Sequence, residues 1–91
     1  MAYSIKTNGD AQTTLTDLKT LQDVVEGYIE IVNLPKGDLI NNKPKIMILN
    51  EEGKLNGLPV NLIATAIWQK NYGETDIIVG NVIIATRKEV K

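Results

Sequence analysis

A chain of 91 residues, 43% hydrophobic and 23% charged, has room for one compact domain with one core and lies far from the composition of disordered proteins. Its net charge of −1, with Lys and Arg spread along the chain, supplies no basic stripe for sequence-independent nucleic-acid binding. Without cysteine or histidine, disulfides, thiol chemistry, imidazole bases and sulfur or imidazole zinc sites are excluded.

No apolar run approaches the roughly 20 residues that span a bilayer, and Met-Ala-Tyr-Ser-Ile-Lys, with no charged segment followed by an apolar run, does not read as a secretory leader. A cytoplasmic protein without cofactor is the expectation. In chain order, Ala2–Thr7 alternates Tyr3 and Ile5 with polar residues, a short strand, and Asn8-Gly9-Asp10 is turn chemistry. Leu15, Leu18, Leu21, Val24 and Val25 have helical spacing; Thr14 can cap this helix and Gly27 can take the left-handed position that ends it. Tyr28–Val32 reads as a strand, and a loop follows from Asn33 to Pro44.

The strand Lys45–Leu49 is apolar on both faces from Ile46 onward, which suits a central position in a sheet. A polar knot, Asn50 to Lys54, and a second, Asn56-Gly57-Leu58-Pro59, precede a helix with Pro59 in its first turn, running to about Gln69. Asp76–Thr86 is either a hairpin across Gly80-Asn81 or one strand kinked or bulged at Gly80; with three residues before the turn, a loop-and-strand reading is preferred, with Val82–Thr86 as the surer strand. The expected fold is α+β, a single domain over residues 1–91, with two helices on an antiparallel or mixed sheet of about four strands. Residues 87–91 read as a short flexible tail.

Candidate chemistry is confined to a few places. Glu51-Glu52 beside Asn50 lacks the alternating ligand spacing of a calcium loop, so a structural turn is the simpler reading and no metal is expected. An enzyme would need these carboxylates as its acid–base pair, and no catalytic residue is assigned. Gly53-Lys54-Leu55-Asn56-Gly57 precedes a helix N-terminus but matches neither a Walker loop nor a dinucleotide fingerprint. Either the two glycines simply turn the chain, or amides near Gly57 to Val60 meet a phosphate or carboxylate together with Lys54. Asn61, Thr65, Trp68 and Tyr72 share one face of the second helix, whose remaining positions, Ile63 and Ile67 among them, are apolar nearly all round. That helix is expected to be buried by its own sheet or by a second copy. Trp68, Tyr72, Ile63 and Ile67 then serve an interface or a stacking surface; in the alternative, Trp68 is a core residue and Asn61 a local cap. A homo-oligomer is expected because so small a core is marginal alone.

Asn50-Glu51-Glu52-Gly53-Lys54-Leu55-x-Gly57-Leu58-Pro59-x-Asn61 resembles the signature of a small family of phage and mobile-element proteins catalogued as a domain of unknown function. Leu21-Gln22-x-x-Val25-x-Gly27-Tyr28-Ile29-Glu30 resembles its helix-to-strand junction and Asp76-Ile77-Ile78-Val79-Gly80-Asn81 its downstream element, so the likeness spans residues 15–86. The family usually continues in a more polar segment after Pro-x-Asn, where this chain has Leu-Ile-Ala-Thr-Ala-Ile-Trp. The resemblance implies a viral or mobile-element origin and a non-enzymatic accessory protein that counters host defence by binding. One form of that expectation is capture of a small, nucleotide-derived anion by Lys54, Asn56, Gly57, Asn61, Thr65 and Arg87, with Trp68 or Tyr72 stacking. The alternatives are inhibition of a host enzyme by protein contact, or a structural or regulatory module with no small ligand.

Overall fold

The computed structural model describes residues 1–90; Lys91, the last residue of the expected tail, lies outside the described residues. The chain forms β1 (Tyr3–Ile5), β2 (Ala11–Thr13), α1 (Leu18–Val25), β3 (Ile29–Leu34), β4 (Lys45–Asn50), α2 (Leu62–Tyr72) and β5 (Val82–Ala85). The strands make one antiparallel sheet in the order β2-β1-β5-β4-β3. It has five strands rather than about four. The additional one is β2, returned onto β1 by a tight turn in which the Lys6 N–H donates to the Asp10 carbonyl at 2.8 Å.

The apolar runs of β4 and β5 are explained by a sheet covered on both sides. Met47, Val82 and Ile84 face α2, where they pack with Ile5, Leu34, Ala64, Ile67 and Ile78. Ile46, Ile48, Ile83 and Ala85 face α1 and meet Leu21 and Val25. Successive strand residues point to opposite faces, so the single expected core is divided into two by the sheet.

The helix ends differ from expectation in instructive ways. Asp17, not Thr14, caps α1, accepting the Thr20 N–H at 3.1 Å, and Leu15 stays 72% exposed before the helix begins. The left-handed residue is Glu26 (φ 65°), not Gly27. Gly27 has another reason to lack a side chain, because a Cβ there would lie 2.7 Å from Asn50 Nδ2. That amide donates to the carbonyls of Val25 and Glu26 at 3.0 and 3.3 Å, closing the C-terminus of α1 from the end of β4. Helix α2 begins after Asn61 rather than at Pro59. Residues 76–81 form a loop into β5, with Gly80 at φ +78°. Arg87 to Val90 is docked: Glu89 Oε1 accepts the Thr86 N–H at 2.8 Å, Thr16 donates to the Glu89 carbonyl at 2.6 Å, and Val90 packs on the α1 side.

Candidate ligand-binding site

Residues 51–58 fold into consecutive turns, closed by the Asn56 N–H to Glu52 carbonyl bond at 2.9 Å and the Leu58 N–H to Gly53 carbonyl bond at 3.0 Å. The Gly57 N–H donates to the Lys54 carbonyl and the Asn61 N–H to the Ile78 carbonyl, so the amides expected to receive an anion are largely engaged within the fold. Lys54 pairs with Asp76, whose carboxyl is held below its usual range by that hydrogen bond and by the Ile77 N–H. Both side chains are well exposed, so the pair contributes at most about 1 kcal/mol. Beside it lies a cleft of about 160 Å³ lined by Glu30, Glu51, Glu52, Asp76 and Lys54. Four carboxylates against one ammonium repel an anion rather than attract it. Asn56 is exposed on these turns, next to Gly57.

Asn61 and Thr65 are structural in this arrangement. Asn61 is 1% exposed; its Oδ1 accepts the Ala64 N–H at 3.0 Å and its Nδ2 donates to the carbonyls of Ile5 and Gly80 at 3.0 and 2.9 Å. The Thr65 hydroxyl donates to the Ile78 carbonyl and accepts the Ile78 N–H. Ile67 is buried in the core, and Ile63 and Trp68 pack against it half-buried. The face expected to bind therefore ties α2 to the loop preceding β5.

Two of the expected residues, Arg87 and Tyr72, do converge, at the opposite end of the sheet. They line a groove of about 620 Å³ together with Asn33, Pro35, Pro44 and Lys45. Asn33 holds both: its carbonyl accepts the Tyr72 hydroxyl and its Oδ1 accepts Arg87 Nη2, each at 2.5 Å. The Tyr72 ring is backed by Trp68, with centroids 4.5 Å apart and planes tilted by 40°, and Trp68 Nε1 is anchored on Thr75 Oγ1 at 2.9 Å. The lining carries two cations and no carboxylate among the described residues.

The loop that supplies the two prolines is fixed from beneath. Asn71, buried on α2, donates to the Gly37 carbonyl at 2.9 Å and accepts the Lys36 N–H at 2.7 Å. Lys70 Nζ reaches the Asp38 carbonyl and Asn42 Oδ1 at 2.5 and 2.8 Å. Asp38 is 1% exposed, and its carboxylate accepts the N–H groups of Ile40 and Asn41 and the Tyr3 hydroxyl. Burial pushes the Asp38 carboxyl up, but these donors and nearby Lys45 outweigh it and hold the group below its usual range. Burial, then the Asp38 hydrogen bond and charge, push the Tyr3 phenol well above its ordinary value. Asn33, Pro35, Pro44 and Lys45 were not singled out from the sequence; the available signal was Lys36, Lys43 and Lys45 interleaved with two prolines.

The fold and this groove define a small α+β domain whose central antiparallel sheet carries a helix on each face and an open cationic groove at one end. Residues 2–90 match the family described as a domain of unknown function, DUF3846, and the chain belongs to that family. No curated protein and no solved structure matches it. No helix among the described residues is long and apolar enough to cross a membrane.

Proposed function

We propose that this protein is a non-catalytic binding protein that captures a small aromatic anion of the nucleotide class in the groove between Tyr72, Arg87 and Lys45. The observation that carries the reading is the composition of that groove: an exposed tyrosine face pre-set by Trp68, with two cations and two proline rings around it. Its volume falls in the range of small-molecule sites, roughly 300–1,000 Å³. A base stacked on an aromatic ring gains about 1–3 kcal/mol, and Arg and Lys together meet a phosphate. In a phage or mobile-element setting, as the family resemblance implies, such capture would remove a nucleotide signal used in host defence.

Calorimetric titration with adenosine 5′-monophosphate, adenosine and inorganic phosphate tests this. The nucleotide is expected to bind more tightly than either half, with Arg87→Ala weakening it about tenfold or more and Lys54→Ala leaving it unchanged. Absence of binding by the nucleotide at millimolar concentration, or loss in Lys54→Ala but not in Arg87→Ala, would sink the assignment. Contact with a host protein is the second reading, supported by Leu39 and Ile40, which stand 55% and 80% exposed in the loop that supplies Pro35 and Pro44.

A further inference from the structure

The two edges of the sheet are unlike. On one side β2 is three residues long, Ala-Gln-Thr, all exposed; on the other, β3 offers six residues paired only to β4. Natural edge strands are guarded by proline, lysine, bulges or covering loops. Between Ile29 and Leu34 there is neither proline nor lysine and the one charge is Glu30; Ile31 is 42% exposed, and Tyr28, just before the strand, is 69% exposed.

The register defines what this edge presents. β3 and β4 pair as Ile29 with Asn50 through Leu34 with Lys45, and the Glu51 N–H donates to the Tyr28 carbonyl at 2.9 Å. In an antiparallel ladder the bonded pairs alternate, so Tyr28, Glu30, Val32 and Leu34 bond to β4. The backbone groups of Ile29, Ile31 and Asn33 therefore point away from the sheet. Of these, the Asn33 carbonyl accepts the Tyr72 hydroxyl, and its second lone pair remains.

We infer that β3 is the contact between two copies of this chain, joined antiparallel about a two-fold axis at Ile31 into one continuous ten-stranded sheet. This arrangement sets Ile31 against its own copy and Ile29 against Asn33, so every outward-facing residue meets another. Charge selects a second copy, and the antiparallel sense, as the occupant. Glu30 lies near the start of β3, after Glu26 at the end of α1, while Lys36, Lys45 and Arg87 lie around its end. Antiparallel self-pairing sets the acidic end of one strand beside the basic end of the other; parallel pairing would oppose like charges. Because β2 is too short and polar to propagate the sheet, the assembly closes at two.

Native mass spectrometry over a concentration series, with hydrogen exchange on the same samples, decides the matter independently of any ligand. The expected result is a species of twice the 10.0 kDa chain mass, in which the Ile31 amide becomes protected as concentration rises. Ile31→Lys is expected to weaken dimerisation about tenfold or more, leaving the Glu30 and Val32 amides protected by β4 as proof that the strand persists. A monomer at every concentration overturns the inference. So does an open series of larger species, or a dimer whose Ile31 amide exchanges freely and which Ile31→Lys does not disturb.

Discussion

At Asn61 one buried side chain serves three elements, capping α2 through Oδ1 and holding the carbonyls that end β1 and precede β5 through Nδ2. Loss of a cap costs about 1 kcal/mol, and orphaned buried partners add about 1–3 kcal/mol. Asn61→Ala is expected to lower unfolding stability by about 2–4 kcal/mol in urea denaturation, without touching the groove. Asn61→Asp keeps the cap acceptor but faces a carboxylate toward two carbonyl oxygens, so it should be no better than alanine; a near-neutral aspartate variant would contradict this role. Asp38 gives the residue-scale pH dependence. Its folded value lies below the unfolded one, so on the acid side the unfolded chain binds more protons. Its contribution is present above the ordinary carboxylate value near ~4 and is lost as pH falls through the folded value. Asp76, and Glu89 chiefly through the Thr86 N–H, act in the same direction. Urea midpoints measured at descending pH should fall, and Asp38→Asn should flatten that fall; parallel curves for the two proteins would remove Asp38 as a source.

Among the connecting elements, the loop between β3 and β4 most directly shapes the groove, and Gly37 is its tightest point. Gly37 has φ +80°, and a Cβ there would lie 2.4 Å from the Asn41 carbonyl oxygen and 2.7 Å from that of Lys43. Both are backbone atoms, so the loop itself would have to move. Gly37→Ala is expected to destabilise by more than about 1 kcal/mol and to weaken nucleotide binding through the displaced Pro35 and Pro44 walls. Thermal melts and titration of the same variant check both effects. This loop also marks the boundary of what the sequence discloses. β4 and β5 were legible because an apolar run bounded by turns has little choice but a central strand. β2 was not, since Ala11-Gln12-Thr13 has no apolar face and is held by backbone pairing to β1 alone. Leu15 fits the period of the first helix, yet it stands 72% exposed ahead of Asp17, whose capping geometry sets the start at Leu18. Tyr72 and Arg87 were visible as a stacking group and a cation. Their meeting was not, because it depends on Asn33, 39 and 54 residues away from them in the chain. The i, i+4 pattern of Asn61 and Thr65 showed a shared face but carried no sign of whether solvent or β5's approach would cover it.

For the molecule as a whole, the two cores share one sheet but are unequally supported. Met47 and Ile48 are adjacent in β4, both fully buried, and point to opposite layers. Truncation of either to alanine should cost about 2–5 kcal/mol, a large share of the ~5–15 kcal/mol typical of a domain. Since both act through the same central strand, each variant should still unfold in one transition. Local stability is another matter. α1 has eight residues and only Leu21 and Val25 fully buried, whereas α2 is eleven residues long and is tied down by Asn61, Thr65, Lys70 and Asn71. The α1 layer is also closed at its ends by contacts distant in sequence, from Asn50 and from the Thr16–Glu89 bond. Native-state hydrogen exchange should therefore show α1 opening at lower free energy than β4 and β5, with the Ile46, Ile48 and Ile83 amides opening only with global unfolding. Leu21→Ala should widen that gap, and Met47→Ala should narrow it by lowering the global limit alone. If α1 amides exchange as slowly as those of β4 in the unmodified protein, the two layers form a single cooperative unit and the asymmetry read from their packing is wrong.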